Sequence, residues 1–344
     1  MTAVVTTKIL TGFADAAIGP ELWSQLLEQG DTNAVNLTCQ WQRNWWETFG
    51  RGKLLLIAAE RAGQIVAIAP LFADGGMIFN ICPEDHLDFV GDVSDPEVLD
   101  SILSTARSAL PDFLGFRFYF FPDSSHSGQR LQESAARLNL VCYEDEAIPS
   151  PLMDLSRNPE LAHAATRKKS LVRHERFFTR EGNLQVRHYR TAADILPQLP
   201  EFFEQHVARR AATPHPSLYC QPIQRAYYER LTRAVAPTGW LRFTRVEWNG
   251  RPIAFHYGAC YRGRFVFGIP SFDIALARHS PGEVLLRQLL IAALEEKAET
   301  FDFGVGDETY KYRFSTDVIQ LRNWGLYPFQ PEEKKAKYEP RAGH

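Results

Sequence analysis

The stretch "LRFTRVEWNGRPIAFHYGA" (241–259) decides the fold. Apolar and polar residues alternate as far as Trp248, Asn249-Gly250 follow, and alternation resumes through Gly258. Asn-Gly between two alternating runs suits a type I′ turn, whose positive φ angles match the twist of the flanking strands. The segment reads as a β-hairpin. A second segment, "LLLIAAERAGQIVAIAPLF" (54–72), repeats it at an offset of 187 residues. Glu60 then falls on Glu247, Gly63 on Gly250 and Ala67 on Ala254.

The correspondence continues downstream. "SDPEVLDSILSTARSALPDFLGFRFYFF" (94–121) matches "HSPGEVLLRQLLIAALEEKAETFDFGVG" (279–306), with Glu97-Val98-Leu99 against Glu283-Val284-Leu285 and Phe116 and Phe118 against Phe301 and Phe303. Each half reads hairpin, further strand, helix, strand, so the sequence implies one α/β domain present twice. The boundary falls in "EDEAIPSPLMDLS" (144–156), where acidic residues and prolines interrupt the pattern. This gives an N-terminal domain over 1–148 and a C-terminal domain over 149–330. A charged tail, 331–344, is expected to be flexible.

At 344 residues the chain can bury two cores. A net charge of −3 gives no global reason to bind nucleic acid or an anionic membrane. The five cysteines are scattered, with no C-x-x-C pair, so neither a zinc site nor a disulfide framework is expected. "MTAVVTTKIL" lacks the basic start and apolar run of a signal peptide, and no apolar run approaches the ~20 residues of a membrane span. A soluble, cytoplasmic protein without a metal is the expectation.

The two copies differ where chemistry could sit. After its last strand the first copy continues "FPDSSHSGQR", the second "GVGDETYKYRF". The second also carries an extra glycine, Gly282, at the start of its helix. That helix, "SPGEVLLRQLLIAALEEK", has Ser280 as candidate N-cap, Pro281 at the first helical position and Glu283 completing a capping box. Its first-turn N–H groups offer a phosphate site, with Arg278 and His279 beside it; a carboxylate at Glu283 opposes an anion there. The preceding strand, "RFVFGIPSFD" (264–273), contains Gly268 and Pro270 and is expected to part from its neighbour there, leaving main-chain groups for an amide-bearing ligand. Asp302, Gly304 and Gly306 then lie at the joint where the next strand leaves the sheet.

"FDFGVGDETYKYRF" (301–314), "SPGEVLL" and "NGRPIAF", in this order with the earlier "WQRNWWETFG", resemble the acyltransferase family associated with bacterial cellulose and exopolysaccharide biosynthesis. That family belongs to the GCN5-related N-acetyltransferase (GNAT) superfamily and is related to Fem-type peptidyl transferases. The resemblance spans roughly residues 20 to 328. It implies tandem GNAT-like α/β domains, each a mixed, mostly antiparallel sheet flanked by helices, the first degenerate. It also implies acyl transfer, with acyl-CoA as co-substrate, to an amino or hydroxyl group of a small molecule or saccharide.

Within that frame Tyr310 is the candidate acid for the departing thiolate and His256 the candidate base. Asp302 either joins the chemistry or pairs with a neighbouring base. Backbone N–H groups near Gly268 and Ile269 are the expected oxyanion donors. Arg278, Ser280 and Gly282 would hold the phosphates, and Lys311 is either a second candidate for the acid or a contact to a phosphate or carboxylate. The resemblance places His206 and Arg210 in the acceptor pocket; spacing alone makes them surface residues of an amphipathic helix. Glu308 sits near the leaving group.

Residues 167–190 hold eight Lys/Arg against two Glu. Lys169, Arg173, Arg176 and Arg180 fall in one helical stripe, with Leu171 and Phe178 opposite. Arg173 and Arg176 are the expected contacts to an anionic ligand; a solvated face is the alternative. One departure concerns the donor. GNAT pyrophosphate loops usually read Q/R-x-x-G-x-G/A, but "RHSPGE" has Pro281 and Glu283 at the two later places. Aminoacyl-tRNA therefore stands as a second donor, and a catalytically silent subunit of a polysaccharide-synthesis complex as a third reading.

Overall fold

The computed structural model describes residues 3–328 apart from 158 and 212. The chain forms two compact units. The first holds the chain up to Gln42, Phe49–Ala147 and the residues from Leu321; the second holds Arg43–Thr48 and Ile148–Gln320.

The first unit contains β1 (Val5–Ile9), α1 (Pro20–Gln29), the two ends of α2 (Cys39–Phe49), β2 (Lys53–Arg61), β3 (Gln64–Asp74), β4 (Met77–Asn80), β5 (Val90–Gly91), α3 (Pro96–Ser108), β6 (Gly115–Pro122), α4 (Ser127–Arg137) and the start of β7 (Leu140–Asp154). The second continues β7 and adds α5 (Pro159–Thr166), α6 (Lys169–Glu181), β8 (Leu184–Tyr189), α7 (Ala192–Ile195), α8 (Leu199–Arg210) and α9 (Pro222–Val235). It is completed by β9 (Leu241–Trp248), β10 (Arg251–Tyr261), β11 (Arg264–Phe272), α10 (Pro281–Glu295), β12 (Thr300–Asp302) and the start of β13 (Asp317–Pro328). The sequence division put residues 321–330 with the second half. Leu321–Leu326 pair instead with β6, which ties this part of β13 to the first unit. The tail 331–344 lies outside the described residues.

Strand order is β1-β2-β3-β4-β6-β13 in the first unit and β7-β12-β11-β10-β9-β8 in the second. The fold is the mixed, mostly antiparallel α/β class expected. Among the described residues one parallel pairing occurs in each unit, β4 with β6 and β11 with β12. A helix, α3 or α10, makes each crossover, as a parallel connection requires. The repeat is visible in the backbone. Ala62-Gly63 and Asn249-Gly250 turn the first hairpins, Gly75-Gly76 and Arg262-Gly263 the second, all with positive φ, and both pairs stand 187 residues apart. The parallel registers begin at Met77 and Arg264, which keep that offset.

In the second unit one sheet face carries α5, α6 and α10. Leu285, Leu289 and Leu290 of α10 pack with Phe265, Phe267, Phe301 and Phe303 in one buried cluster. On the other face Phe202 of α8 contacts Phe243 and Phe255, and Tyr228 of α9 contacts Tyr257. Burial of each such side chain contributes roughly 1.5–3 kcal/mol, so both faces hold the β10–β11 pair rigid. No helix among the described residues is long and apolar enough to cross a membrane.

Candidate active site

The β11 strand pairs with β10 along its length but with β12 only over Arg264–Val266. From Phe267 to Phe272 its second edge has no strand partner among the described residues. Two glycines cause the parting. The β10–β11 register shifts between Tyr257 and Ala259. A Cβ on Gly258 would meet the Val266 carbonyl at 2.3 Å, and one on Gly268 the Tyr257 carbonyl at 2.7 Å. Only glycines allow this bulge, and a bulge bends the strand that carries it. Pro270, which has no N–H, sits on the free half, where no central ladder bond is lost. β12 ends at Asp302, and Gly304 at φ 73° turns the chain away.

The turn is held from inside. Asp302 is 2% exposed; its Oδ2 accepts from Arg264 Nε at 2.9 Å and its Oδ1 from the Gly304 N–H at 2.9 Å. Lys311 is also buried. Its Nζ donates to the carbonyls of Gly304 (3.0 Å) and Val305 (2.8 Å) and lies 2.8 Å from Glu308 Oε2. Its three N–H donors are thereby used, so Lys311 is not a phosphate ligand. It is the clasp of the 304–311 loop. Asp302 likewise positions the turn and has no free face toward a substrate.

Tyr310 lies near the end of this loop and packs at the margin of the α10 cluster. Its hydroxyl makes no hydrogen bond among the described residues. Burial pushes its pKa up to about 12, with Glu308 adding to the rise and Arg209 and Arg210 opposing it. Arg209 comes from the last turn of α8. It donates to the Pro270 carbonyl at 2.6 Å and lies over the Phe272 ring at 4.4 Å. Arg209 thus reaches the free half of β11, with Tyr310, Glu308 and Arg210 near enough to act on it electrostatically. Arg210 is half-buried and has no ion pair among the described residues. His206 is buried, one turn back; the Ser217 hydroxyl accepts from the Tyr219 N–H and lies 2.7 Å from His206 Nδ1. Burial first, then Arg210 and Arg209, push its pKa down to about 4, so the ring is neutral at physiological pH.

The start of α10 lies at the far end of the same strand half, where Gly282 packs on Phe272. The expected capping box is not formed. Ser280 adopts the left-handed conformation at φ 53° and its side chain caps nothing. Glu283 turns outward instead: Oε2 meets His174 Nδ1 and Oε1 meets Arg313, both at 2.9 Å. The Glu283 and Val284 N–H groups both bond the Ser280 carbonyl, and Pro281 has none. Gly282 is left as the first-turn N–H with no acceptor among the described residues. Arg278 is exposed, with Nε 2.8 Å from His279 Nε2, and His279 stacks on Phe177 of α6 at 3.8 Å. Arg173 and Arg176 are exposed on α6, Arg173 lying 3.4 Å from His174 Nε2.

His256 does not fit its expected part as a base. It is fully buried, with rings of Phe265 and Phe267 lying nearly parallel to it, and neither ring nitrogen has a hydrogen bond. Burial pushes its pKa down to about 3; the Val266 carbonyl opposes this but stands outside bonding geometry. Sequence reasoning also missed Arg209, His174, Phe177 and Arg313. Arg209 left a signal, since it follows His206 by three residues on the same helix. The others are brought in by α6 packing on α10, which no local pattern encodes.

In the first unit the corresponding parting is bridged. Asn80 donates to the Tyr119 carbonyl and accepts from the Tyr119 N–H, and the Leu87 N–H bonds the Phe120 carbonyl. Phe267 and Gly304 occupy the equivalent places of Asn80 and Tyr119 in the second unit; Phe267 has no polar atom to make that bridge, and the Gly304 N–H and carbonyl bond Asp302 and Lys311 instead. The α3 N-terminus is closed as well, because Asp95 caps it and binds Arg61.

Residues 165–312 match the sequence profile of the acetyltransferase (GNAT) domain. This stretch of the second unit, under half of the chain, is thus similar to a GNAT-type acetyltransferase domain. Among solved structures, FemX aligns over 90% of this chain and 96% of its own at 10% identity, with a TM-score of 0.64. The C-terminal domain of a putative lysylphosphatidylglycerol synthetase from Agrobacterium fabrum gives 17% identity, 83% and 86% coverage and 0.55. A tandem GNAT protein from the clavulanic acid biosynthesis pathway gives 13%, 95% and 100%, and 0.53. At these identities the likeness is one of fold. The search of curated proteins returned no match.

Proposed function

We propose that the second unit is an acyltransferase that takes an acyl thioester along the free half of β11 and passes the acyl group to an amine or hydroxyl. The observation that carries this is the parting of β11 from β12 after Val266, which leaves Phe267–Phe272 without a second strand partner among the described residues. An extended amide-bearing arm can add to such an edge as a strand does. The thioester supplies an activated carbonyl and a thiolate leaving group. N–H groups at Gly268 and Ile269 would donate to the developing oxyanion. Tyr310, held protonated well above physiological pH, donates to the departing sulfur. Glu308, beside it, is the group available to take the proton of the attacking amine.

Phosphates would meet the Gly282 N–H, Arg278 and Arg173, while Glu283 is paired with Arg313 and held at His174 Nδ1. Arg210 and neutral His206 line the approach for the acceptor, a small molecule or saccharide of the kind used in exopolysaccharide synthesis. Isothermal titration with acetyl-CoA and longer acyl-CoAs tests the reading. Binding of any of them, lost on Gly268→Val, supports it; no binding of any acyl thioester contradicts it. A second reading, transfer from aminoacyl-tRNA, is favoured by the exposed cations of α6. Failure of charged tRNA to bind or donate removes it.

A further inference from the structure

The cationic face of α6 is longer than the phosphates of a nucleotide require. Lys169, Arg173, Arg176 and Arg180 are all exposed along one side of the helix, spanning ~16 Å at 1.5 Å per residue. Only part of it borders the donor slot: Phe177 stacks on His279, and Arg173 reaches His174, which holds Glu283. Lys169 and Arg180 lie toward the two ends. Arg180 meets only its neighbour Glu181, and Lys169 has no ion pair among the described residues. Arg278 extends the same field from the turn before α10.

Two further observations concern what this face binds. Aromatic side chains are withdrawn from it: Phe178 is buried and Phe177 is occupied by His279. Single-stranded nucleic acid needs exposed rings for base stacking, so the unpaired acceptor end of a tRNA is poorly served here. The start of α10 offers one N–H without an acceptor among the described residues, a proline and a carboxylate where a diphosphate would need several donors. One phosphodiester suits it better than two linked phosphates. The free half of β11, Phe267–Phe272, gives ~17 Å of strand edge for the arm.

We propose that the acyl donor is a phosphopantetheine thioester carried on an acidic carrier protein, whose helix docks on the cationic face of α6. This rests on the acyltransferase reading. The arm enters past Gly282, runs along β11 and presents its thioester beside Tyr310. In the transfer the carbonyl–sulfur bond breaks, a carbonyl–nitrogen bond to the acceptor amine forms, and the amine proton balances the thiol released on the carrier. Charge complementarity sets the encounter, so docking weakens as salt rises.

The experiment compares a hexanoylated type II acyl carrier protein, its apo form and hexanoyl-CoA with the full chain, by titration at low and moderate salt and by single-turnover transfer to an accepted amine. Acyl carrier is expected to bind at least tenfold tighter than hexanoyl-CoA, and the apo form weakly and with strong salt dependence. The variant Lys169→Glu/Arg180→Glu should lower carrier affinity at least tenfold and leave hexanoyl-CoA affinity within threefold. Lys169→Gln/Arg180→Gln, which adds no repulsion, should show a smaller loss in the same direction. Equal loss for both donors, tighter binding of hexanoyl-CoA, or binding of charged tRNA alone overturns the proposal. Hexanoyl-CoA donating while the carrier does not defeats this inference and spares the acyltransferase reading. Neither donating defeats both.

Discussion

Replacing Tyr310 by phenylalanine removes one oxygen and nothing else. That hydroxyl has no hydrogen-bond partner among the described residues, so the change orphans no other group, and stability should move by less than ~1 kcal/mol. With a pKa pushed up to about 12, the hydroxyl is protonated throughout the physiological range and is a donor, not a base. Loss of a positioned acid lowers rate by ~10²–10⁴, which is ~2.7–5.5 kcal/mol of barrier. The control is Tyr312→Phe. Tyr312 is 41% exposed and bonds Asp307 at 2.6 Å on the surface, so its loss should leave the rate within about threefold. The assay is single-turnover release of thiol at saturating donor, with donor affinity measured separately by titration. Equal rates for the two variants, both near wild type, would refute Tyr310 as the acid and leave thiolate departure unassisted.

Asp302→Asn should destabilise the protein by about 1–3 kcal/mol in urea unfolding, because the Arg264 charge loses its buried partner while the Gly304 N–H keeps an acceptor. Lys311→Met strands the carbonyls of Gly304 and Val305, and should lower stability by about 1–3 kcal/mol and lower kcat, with donor KM unchanged. A rise in donor KM alone would restore Lys311 as a ligand. His256 is depressed to about 3, so its contribution is complete above the unfolded value near 6.5 and is lost as pH falls toward 3. His256→Leu should therefore flatten the acid limb of the stability curve by up to ~1.4 kcal/mol per pH unit, read from urea midpoints between pH 6.5 and 4; an unchanged limb contradicts this. Arg173→Ala/Arg176→Ala should raise donor KM more than it lowers kcat, with an effect that shrinks as salt rises.

The turns and the helix faces were legible because their signals are local. Asn249-Gly250 names its own turn type, and the stripe Lys169, Arg173, Arg176, Arg180 opposite Leu171 and Phe178 follows from 3.6-residue periodicity. Gly268, Pro270 and Gly304 likewise marked the parting of the strands, since each is needed where a ladder ends. What escaped was set by tertiary contact. Ser280 resembles an N-cap, yet it takes a left-handed conformation and Glu283 bonds His174 and Arg313 across α6 and the 311–313 turn. Lys311 looks like a phosphate ligand in a charged run, and only its distances to Gly304 and Val305 reveal a clasp. Alternation put His256 on the face of Ala254 and Gly258, but it could not show that Phe265 and Phe267 flank the ring there. Asn80 gave no hint that it bridges the first unit's parted strands, because its partner Tyr119 lies 39 residues away.

The central claim is that the free half of β11 receives the donor arm, and amide hydrogen exchange reads it directly. Peptides covering Phe267–Phe272 should be followed with and without saturating hexanoyl-CoA, and with the acylated carrier protein. Every residue there except Pro270 has an N–H, and those facing the free edge exchange readily until an arm pairs with them. The account predicts at least tenfold slower exchange in this segment with donor, together with protection at Gly282, and no comparable change in Met77–Asn80 of the first unit. Donor binding that leaves Phe267–Phe272 unprotected, or that protects the first unit's strand instead, would contradict it.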